Sequence, residues 1–191
     1  MDKKKIGRGI FLYPLPTVIV GSMIKGKSNF NTISYCGVVQ SKPPMIGISM
    51  DKRRLTWQGI TESGSFSVNI PGEKQLIIVD YIGTYSGKKI NKSDLFEIFF
   101  GELGNAPMIE DCPVNLECRV LKKMDFGGKN SFIVGEVIEA YCDNDCMNNG
   151  IPDLEKIKPI LFTREDLKYW STGNFLGKAL EIGKKYPWGP K

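Results

Sequence analysis

Two clusters of polar residues, close together in the sequence, carry side chains that suit ligand binding. The first is an uncharged run of mainly amide and hydroxyl side chains, made up of Asn29, Phe30, Asn31, Thr32, Ile33, Ser34 and Tyr35. Such groups suit a neutral ring rich in heteroatoms. The second cluster, Arg53, Arg54 and Thr56, lies at the start of a predicted helix, where cations and free backbone N–H groups favour a phosphate. Together the clusters predict a site that holds a ring at one end and a phosphate at the other.

The sequence contains no histidine, and this excludes several mechanisms at once. Ser-His-Asp and Cys-His nucleophile pairs are excluded, and so are zinc sites of the HExxH type. The remaining side chains offer little acid–base chemistry near neutral pH. We therefore expect no catalytic side chain and assign the reactivity to a bound cofactor.

Length and composition predict a single domain over residues 1–191. A chain of 191 residues with 41% hydrophobic content is long enough to bury one stable core. The formal net charge is +5 and the basic residues are spread along the chain, so nucleic acid is not an expected partner. The basic residues 1–8 precede an apolar run that Pro14 and Pro16 interrupt, so neither a signal peptide nor a membrane anchor is expected.

An odd number of cysteines predicts reduced thiols and a cytoplasmic protein. The five are Cys36, Cys112, Cys118, Cys142 and Cys146. Without an export signal they imply no disulfide framework. Cys142 and Cys146, with two aspartates between them, resemble a loop that binds a soft metal. Because further ligands are missing nearby in the sequence, we expect free thiols and no metal.

The hydrophobic pattern predicts a mainly β protein with short helices. Strands are predicted over 15–24, 31–40, 45–50, 66–70, 114–124, 131–141 and 158–163. Helices are predicted over 55–63, ended by Gly64, and over 73–82. Strands and helices do not alternate regularly, which disfavours a parallel α/β fold. We therefore expect a closed antiparallel β-barrel with helical additions.

Residues 21–28 match the phosphate-loop pattern G-x-x-x-x-G-K-[ST]. Residues 76–80 also imitate the apolar run ending in aspartate that accompanies this loop in nucleotide hydrolases. A phosphate loop must open directly into a helix. Residues 29–39 instead have the β-branched and aromatic composition of a strand, so we interpret the glycine and lysines as a hairpin turn. A nucleotide hydrolase is the least favoured alternative.

Four groups of residues resemble the flavin reductase-like FMN-binding family, which has a split-barrel fold, and within it the flavoredoxins. They are Asn29, Asn31, Thr32 and Ser34; Pro43 and Pro44 with the strand that follows; Thr56 with Ile60, Gly64, Phe66, Val68 and Asn69; and Asp80, Gly83, Ser86 and Gly87 leading to Lys92. The resemblance extends over roughly residues 10–170. It implies an antiparallel split barrel that forms a homodimer, with FMN held near the subunit interface.

The resemblance also implies a set of residues that contact FMN. They are Asn29, Asn31, Thr32, Ile33, Ser34, Tyr35, Ser49, Arg53, Arg54, Thr56, Lys92 and Phe162. Residues 29–35 are expected beside the ring, and Phe162 is expected to cover it. Lys92 is expected close to the flavin, where a cation stabilises the reduced ring or contacts the phosphate. Ser131 stands where relatives can carry histidine, so no proton donor is assigned there.

The function that this resemblance implies is electron transfer through FMN. Electrons are expected to pass from NAD(P)H or a redox protein to free flavin or a protein acceptor. An FMN electron carrier without NAD(P)H turnover is the alternative. An interpretation of the same residues without ligand binding also stays open. In it, residues 29–34 form the polar face of an edge strand, Arg53 and Arg54 form a solvated helix start, and Asp80 and Lys92 form a surface pair.

Overall fold

The computed structural model describes residues 2–186, so Met1 and residues 187–191 of the predicted single domain lie outside it. The strands are β1 Leu15–Pro16, β2 Val18–Ile24, β3 Lys27–Ile33, β4 Cys36–Ser41, β5 Pro44–Asp51, β6 Ser65–Ile70, β7 Ile98–Phe99, β8 Met108–Ile109, β9 Val114–Asp125, β10 Asn130–Cys142, β11 Met147–Asn148, β12 Ile151–Pro152, β13 Leu161–Thr163 and β14 Lys168–Trp170. The α-helices are α1 Leu55–Ser63, α2 Leu76–Thr84 and α3 Leu154–Ile157. Short 3-10 turns occupy Glu73–Gln75, Ser93–Leu95, Asn144–Cys146 and Ile182–Lys185.

One seven-stranded antiparallel sheet forms the body of the protein, in the order β3-β2-β6-β9-β10-β5-β4. Its two edge strands, β3 and β4, are consecutive in the chain, with only Ser34 and Tyr35 between them. A connection of this length spans about 10 Å, so the sheet must curl until its edges nearly meet. This arrangement confirms the predicted antiparallel barrel. We call the gap between the two edges, at Ser34 and Tyr35, the seam.

The seam also shows where one strand prediction was wrong. A single strand was expected over 31–40, but β3 ends at Ile33 and β4 begins at Cys36. At this point the chain leaves one edge of the sheet and joins the other, where the backbone N–H of Ser49 donates to the carbonyl of Tyr35 at 2.8 Å. The pattern of β-branched residues does not reveal this change of partner, because such residues occur on both sides of Ser34 and Tyr35.

The phosphate-loop pattern folds as a β-hairpin. Lys25 and Gly26 adopt positive φ angles of 49° and 75°, which is the geometry of a tight two-residue turn between β2 and β3. Ser28 is already paired with Met23 in the ladder. No helix follows the lysine, so the loop-to-helix arrangement of a nucleotide hydrolase is absent from this part of the described chain.

The remaining predicted elements mostly agree with the structure. Helix α1 has the predicted bounds, and Gly64 ends it in the left-handed conformation at φ 70°. The long β9–β10 hairpin is confirmed. The predicted helix over 73–82 is a 3-10 turn that leads into α2. The predicted strand over 158–163 is shorter, since only Leu161–Thr163 is strand and Pro159 forms an isolated bridge with Gly72.

Apolar side chains form one core inside the curled sheet and a second between the sheet and α2. Successive strand residues point to opposite faces, so Val20 joins the inner core while neighbouring Ile19 joins the outer one. Phe66 fills the inner core, where Ile60 of α1 packs against the sheet. Phe30 of β3 occupies the outer core, together with Val79 and Ile82 of α2. Both faces of β3 are therefore fixed by packing.

The β13–β14 hairpin lies against β1 rather than in the main sheet. Leu15 pairs with Phe162, and Pro16 pairs with Leu161. The ring of Phe162 packs against Tyr169 with centroids 5.4 Å apart. This pairing brings a segment late in the chain to the seam. Within residues 2–186, no helix has both the length and the apolar character needed to span a membrane.

Candidate functional site

A cleft lies along the seam between β3, the start of α1 and the β13–β14 hairpin. It consists of two adjoining cavities of about 270 and 350 Å³. Both are lined by Thr32, Ile33, Ser34, Arg54, Phe162 and Leu167. We call the two together the seam cleft.

The structure brings most of the predicted site residues to this cleft. Its walls contain Asn31, Thr32, Ile33, Ser34, Tyr35, Ser49, Arg54 and Phe162. The seam explains this grouping, because β3 ends where Ser34 and Tyr35 cross to the β4 edge and Ser49 lies on the strand beside that edge. Small polar side chains from the ends of distant strands therefore meet at one place.

Asn31 has a buried polar atom with no protein partner. The residue is only 4% exposed, and its Nδ2 donates to the carbonyl of Thr32 at 3.1 Å. Its Oδ1 is buried and accepts no hydrogen bond from residues 2–186. The hydroxyl of Thr17, which also lines the cleft, is unpaired in the same way. Buried polar groups are nearly always satisfied, so these two atoms indicate a place where a polar ligand binds.

Thr32 uses its side chain differently from its neighbour. Its hydroxyl donates to the carbonyl of Val79 at 2.6 Å and so fastens α2 to β3. This follows from strand alternation, which turns Thr32 away from the face that carries Asn31. The Thr32 hydroxyl is therefore already engaged in the structure without a ligand.

Asn29 and Thr56 form a buried pair behind the cleft. Asn29 is 4% exposed and Thr56 is 1% exposed. In the amide orientation that satisfies both residues, Asn29 Oδ1 accepts from the Thr56 hydroxyl at 2.6 Å and from the Thr56 N–H at 3.2 Å. Asn29 thereby binds the first turn of α1 to β3. Neither residue lines the seam cleft.

The first turn of α1 gives the cleft a positive end. Its N-cap, Arg54, makes no side-chain cap, and the turn contains no acidic residue. The helix dipole at this point favours an anion. The guanidinium of Arg54 lines both cavities and adds a full positive charge.

Lys92 is a second cation near Arg54, but it lines neither cavity and is almost fully buried. It is 2% exposed, and its Nζ donates to the carbonyl of Ile82 in the last turn of α2 at 2.6 Å. Burial, with a smaller contribution from the positive charge of Arg54, lowers the pKa of Lys92 to about 8. A buried lysine without a carboxylate partner is electrostatically costly. An incoming anion would relieve that cost.

Arg53 is placed outside the cleft. It forms an ion pair with Asp51 at 2.6 Å, and its side chain is 79% exposed. Two hydrogen bonds from Arg53 lower the pKa of the Asp51 carboxyl well below its usual range. The structure therefore separates two arginines that are adjacent in sequence. The open interpretation of a solvated helix start applies to Arg53 and not to Arg54.

Sequence reasoning missed several residues that line the cleft. Lys129 and Arg164 add two further cations, and Asn130 adds an amide. Tyr169 donates to Asp80 Oδ1 at 2.8 Å, which ties the β13–β14 hairpin to α2 across the cleft. Burial and the nearby Asp80 raise the pKa of the Tyr169 phenol above its usual value. Asp80 is thus bonded to tyrosine rather than to Lys92, so the surface pair considered above does not form.

These features define an antiparallel split barrel with a polar cleft at the seam, a class of fold used to bind flavins. A family model for the flavin reductase like domain matches residues 10–171. The chain therefore belongs to the flavin reductase-like family, whose chemistry is flavin-related redox chemistry.

Two solved flavoredoxin structures resemble the chain over nearly its full length, and a curated reductase subunit resembles about two thirds of it. It is similar to the crystal structure of flavoredoxin from Methanosarcina acetivorans, with a TM-score of 0.93 and 43% identity over 96% of this chain and 98% of that one. Flavoredoxin of Desulfovibrio vulgaris matches with a TM-score of 0.89 and 30% identity over 95% and 100% of the two chains. The reductase subunit HsaB of a flavin-dependent monooxygenase from Mycobacterium tuberculosis is 30% identical over 125 residues, which are 65% of this chain and 59% of that protein.

Proposed function

We propose that this protein binds FMN in the seam cleft and transfers electrons through it. The observation that carries the proposal is the buried, unpaired Oδ1 of Asn31, in a cleft that is also lined by Arg54 at the start of α1. An unsatisfied acceptor suits an N–H of a heteroaromatic ring, and a cationic helix start suits a phosphate. The residues present therefore fit FMN. Bound FMN supplies hydride and single-electron chemistry.

The residues divide between the two ends of the cofactor. Asn31, Ser34 and Tyr35 bind and orient the ring, and Phe162 excludes water from it. Arg54, Lys92 and the N–H groups of the α1 first turn hold the phosphate. Ser49 provides a further hydroxyl beside Asn130, whose Nδ2 donates to it at 3.4 Å. Asn29 and Thr56 position the α1 first turn behind the phosphate, and Arg53 has no part in binding. No side chain is assigned a proton-transfer step.

Two versions of this function differ in the electron donor. In the first, NAD(P)H reduces the flavin, which then reduces free flavin or an acceptor protein. The name of the HsaB reductase subunit supports this version. In the second, the protein is an electron carrier between redox proteins, which the two flavoredoxins support by name. We favour the first version.

A homodimer and a cytoplasmic location complete the proposal. Strand β4 is an edge strand with exposed Val38 and Val39, a surface suited to contact with a second copy. The five cysteines are free, which is consistent with a reducing compartment. Sedimentation of the purified protein would test the dimer directly.

The proposed function is tested by the absorption spectrum of the purified protein under anaerobic conditions. A bound-flavin spectrum that bleaches with NADH or NADPH supports the reductase. A flavin spectrum that bleaches only with a chemical reductant supports the carrier. A protein that contains no flavin and takes up no added FMN contradicts both versions.

A further inference from the structure

A third cavity lies beyond Asn29, and it shares no lining residue with the seam cleft. Its volume is about 550 Å³, larger than either cavity of the seam cleft. It is enclosed by the β2–β3 turn, by α1 and by the segment after α2. Four lysines line it: Lys25, Lys27, Lys88 and Lys89. We call it the lysine cleft.

The charge of the lysine cleft is not neutralised by the protein. None of the four lysines forms a salt bridge with any of residues 2–186. Two carboxylates lie on neighbouring segments, and each accepts a hydrogen bond from a neutral group rather than from a lysine ammonium. Glu62 accepts from the backbone N–H of Lys25 at 3.0 Å, and Asp94 accepts from Asn91 Nδ2 at 2.6 Å. Four exposed lysines around one cavity favour a ligand with several negative charges.

The inner wall of the cleft is not purely cationic. Ile24, Leu55 and Ile90 give it an apolar surface, and the amide of Gln58 lies among them. An apolar wall with one amide suits a heteroaromatic base, which packs by its faces and hydrogen-bonds at its edge. A cluster of lysines on a flat polar surface would offer no such place.

The lysine cleft also lies at a defined distance from the ring end of the seam cleft. Strand β3 runs from Ile33 at the seam to Lys27 at the lysine cleft, which is about 20 Å at the usual rise per residue. Asn29 stands between, bound to Thr56, and Gly87 packs so closely on Asn29 that any larger side chain would collide with it. Asn29 and Gly87 line the lysine cleft and not the seam cleft, so this packed contact forms one wall of the lysine cleft.

From these observations we propose that the lysine cleft is a second ligand site that binds a nucleoside diphosphate. The lysines hold the two phosphates, and the apolar wall with Gln58 holds the base. This site is independent of the flavin proposed for the seam cleft. It includes Lys27 and Ser28 of the phosphate-loop pattern, but β3 follows them directly, so we expect binding without hydrolysis.

The test is calorimetric titration of ADP into the protein as purified, with its flavin content measured from the spectrum. We expect one ADP per chain, and affinity for adenosine at least about 30-fold weaker because the lysines have no phosphate to bind. The double variant Lys27→Gln/Lys88→Gln should weaken ADP binding about 10- to 100-fold. Lys122→Gln is the matched control, since Lys122 is an exposed lysine of β9 outside the cleft, and it should bind ADP as the unmodified protein does.

Four outcomes would overturn the proposal. The first is that ADP does not bind at millimolar concentration, and the second is that the double variant and the Lys122→Gln control bind ADP equally well. The third is that pyrophosphate binds as tightly as ADP, which would leave the base without a role. The fourth is that ADP releases flavin stoichiometrically, which would place ADP in the seam cleft. If a second copy of the chain covers the lysine cleft instead, ADP fails to bind and the double variant changes the sedimentation coefficient. Absence of flavin from the spectrum contradicts the FMN proposal alone and leaves the ADP titration interpretable.

Discussion

Replacing Lys92 with methionine gives the sharpest test of the phosphate end of the seam cleft. Methionine has a similar length and shape but no charge. In the protein without cofactor, the pKa of Lys92 is lowered from about 10.5 to about 8. Each unit corresponds to about 1.4 kcal/mol, so holding this lysine protonated costs the folded state about 3 kcal/mol below pH 8. Lys92→Met avoids this electrostatic cost, but it also lacks the hydrogen bond from Lys92 to the carbonyl of Ile82.

The sign of the pH dependence follows from proton counting. Between pH 8 and 10.5 the unfolded chain keeps the Lys92 proton while the folded protein has released it, so the unfolding free energy rises with pH in this window. The contribution is constant below pH 8, where both states are protonated. Denaturation with urea at pH 7.5, 9 and 10 should therefore show a rise in stability of up to about 3 kcal/mol relative to Lys92→Met.

FMN affinity should fall as the pH rises above 8, whereas the unfolding free energy rises. A phosphate beside Lys92 raises its pKa, so binding takes up a proton above pH 8. The dissociation constant should then increase by up to about tenfold per pH unit. Loss of a charge-assisted hydrogen bond should weaken binding in Lys92→Met by about 10- to 150-fold at pH 7.5. Titrations followed by flavin fluorescence measure both effects. An affinity that does not depend on pH between 7.5 and 10, or an equal dependence in Lys92→Met, would refute the assignment of Lys92 to the phosphate.

Four further substitutions test separate parts of the structure. Asn31→Ala removes the unpaired acceptor and should weaken FMN binding about tenfold in a fluorescence titration without lowering the melting temperature, whereas an unchanged affinity would contradict the ring assignment. Lys27→Ala should leave FMN affinity within about twofold, since Lys27 lies outside the seam cleft. A large loss of FMN affinity would contradict the placement of FMN in the seam cleft. Asn69→Ala removes the buried amide that hydrogen-bonds to Ile19, Ile109 and Asn115. Urea denaturation should show that the unfolding free energy falls by about 2–4 kcal/mol. A fall of less than about 1 kcal/mol would show that other groups replace these hydrogen bonds. Tyr169→Phe breaks the bond to Asp80 and should speed FMN release about 3- to 10-fold in stopped flow, with Tyr141→Phe as the control.

Features set by local sequence were predicted well. The bounds of α1 followed from an apolar pattern ended by Gly64, and the β2–β3 turn followed from Lys25 and Gly26, which are both local signals. The break between β3 and β4 was not predicted, because it depends on which distant strands each segment pairs with. The sequence remains typical of a strand on both sides of Ser34 and Tyr35, whereas the hydrogen-bonding partner changes from β2 to β5.

The candidate site was predicted in part for the same reason. The sequence indicated a polar run, but only the structure shows that Asn31 faces the cleft while the Thr32 hydroxyl is bonded to α2. Nor does the sequence distinguish Arg53 from Arg54, since the difference arises from the ion pair with Asp51. Arg164 and Tyr169 were missed because the β13–β14 hairpin reaches the seam through pairing with β1, across most of the chain.

The pairing of Leu15 with Phe162 has a consequence for the order of events on the ribosome. Strands β3 and β5 and the start of α1 are all made within the first third of the chain, whereas the hairpin that forms the far wall of the cleft is made near its end. Contacts between such distant segments form late and slowly. The nascent chain can therefore assemble the barrel with the cleft still open on one side, and it acquires a complete binding site only after Tyr169 has left the exit tunnel.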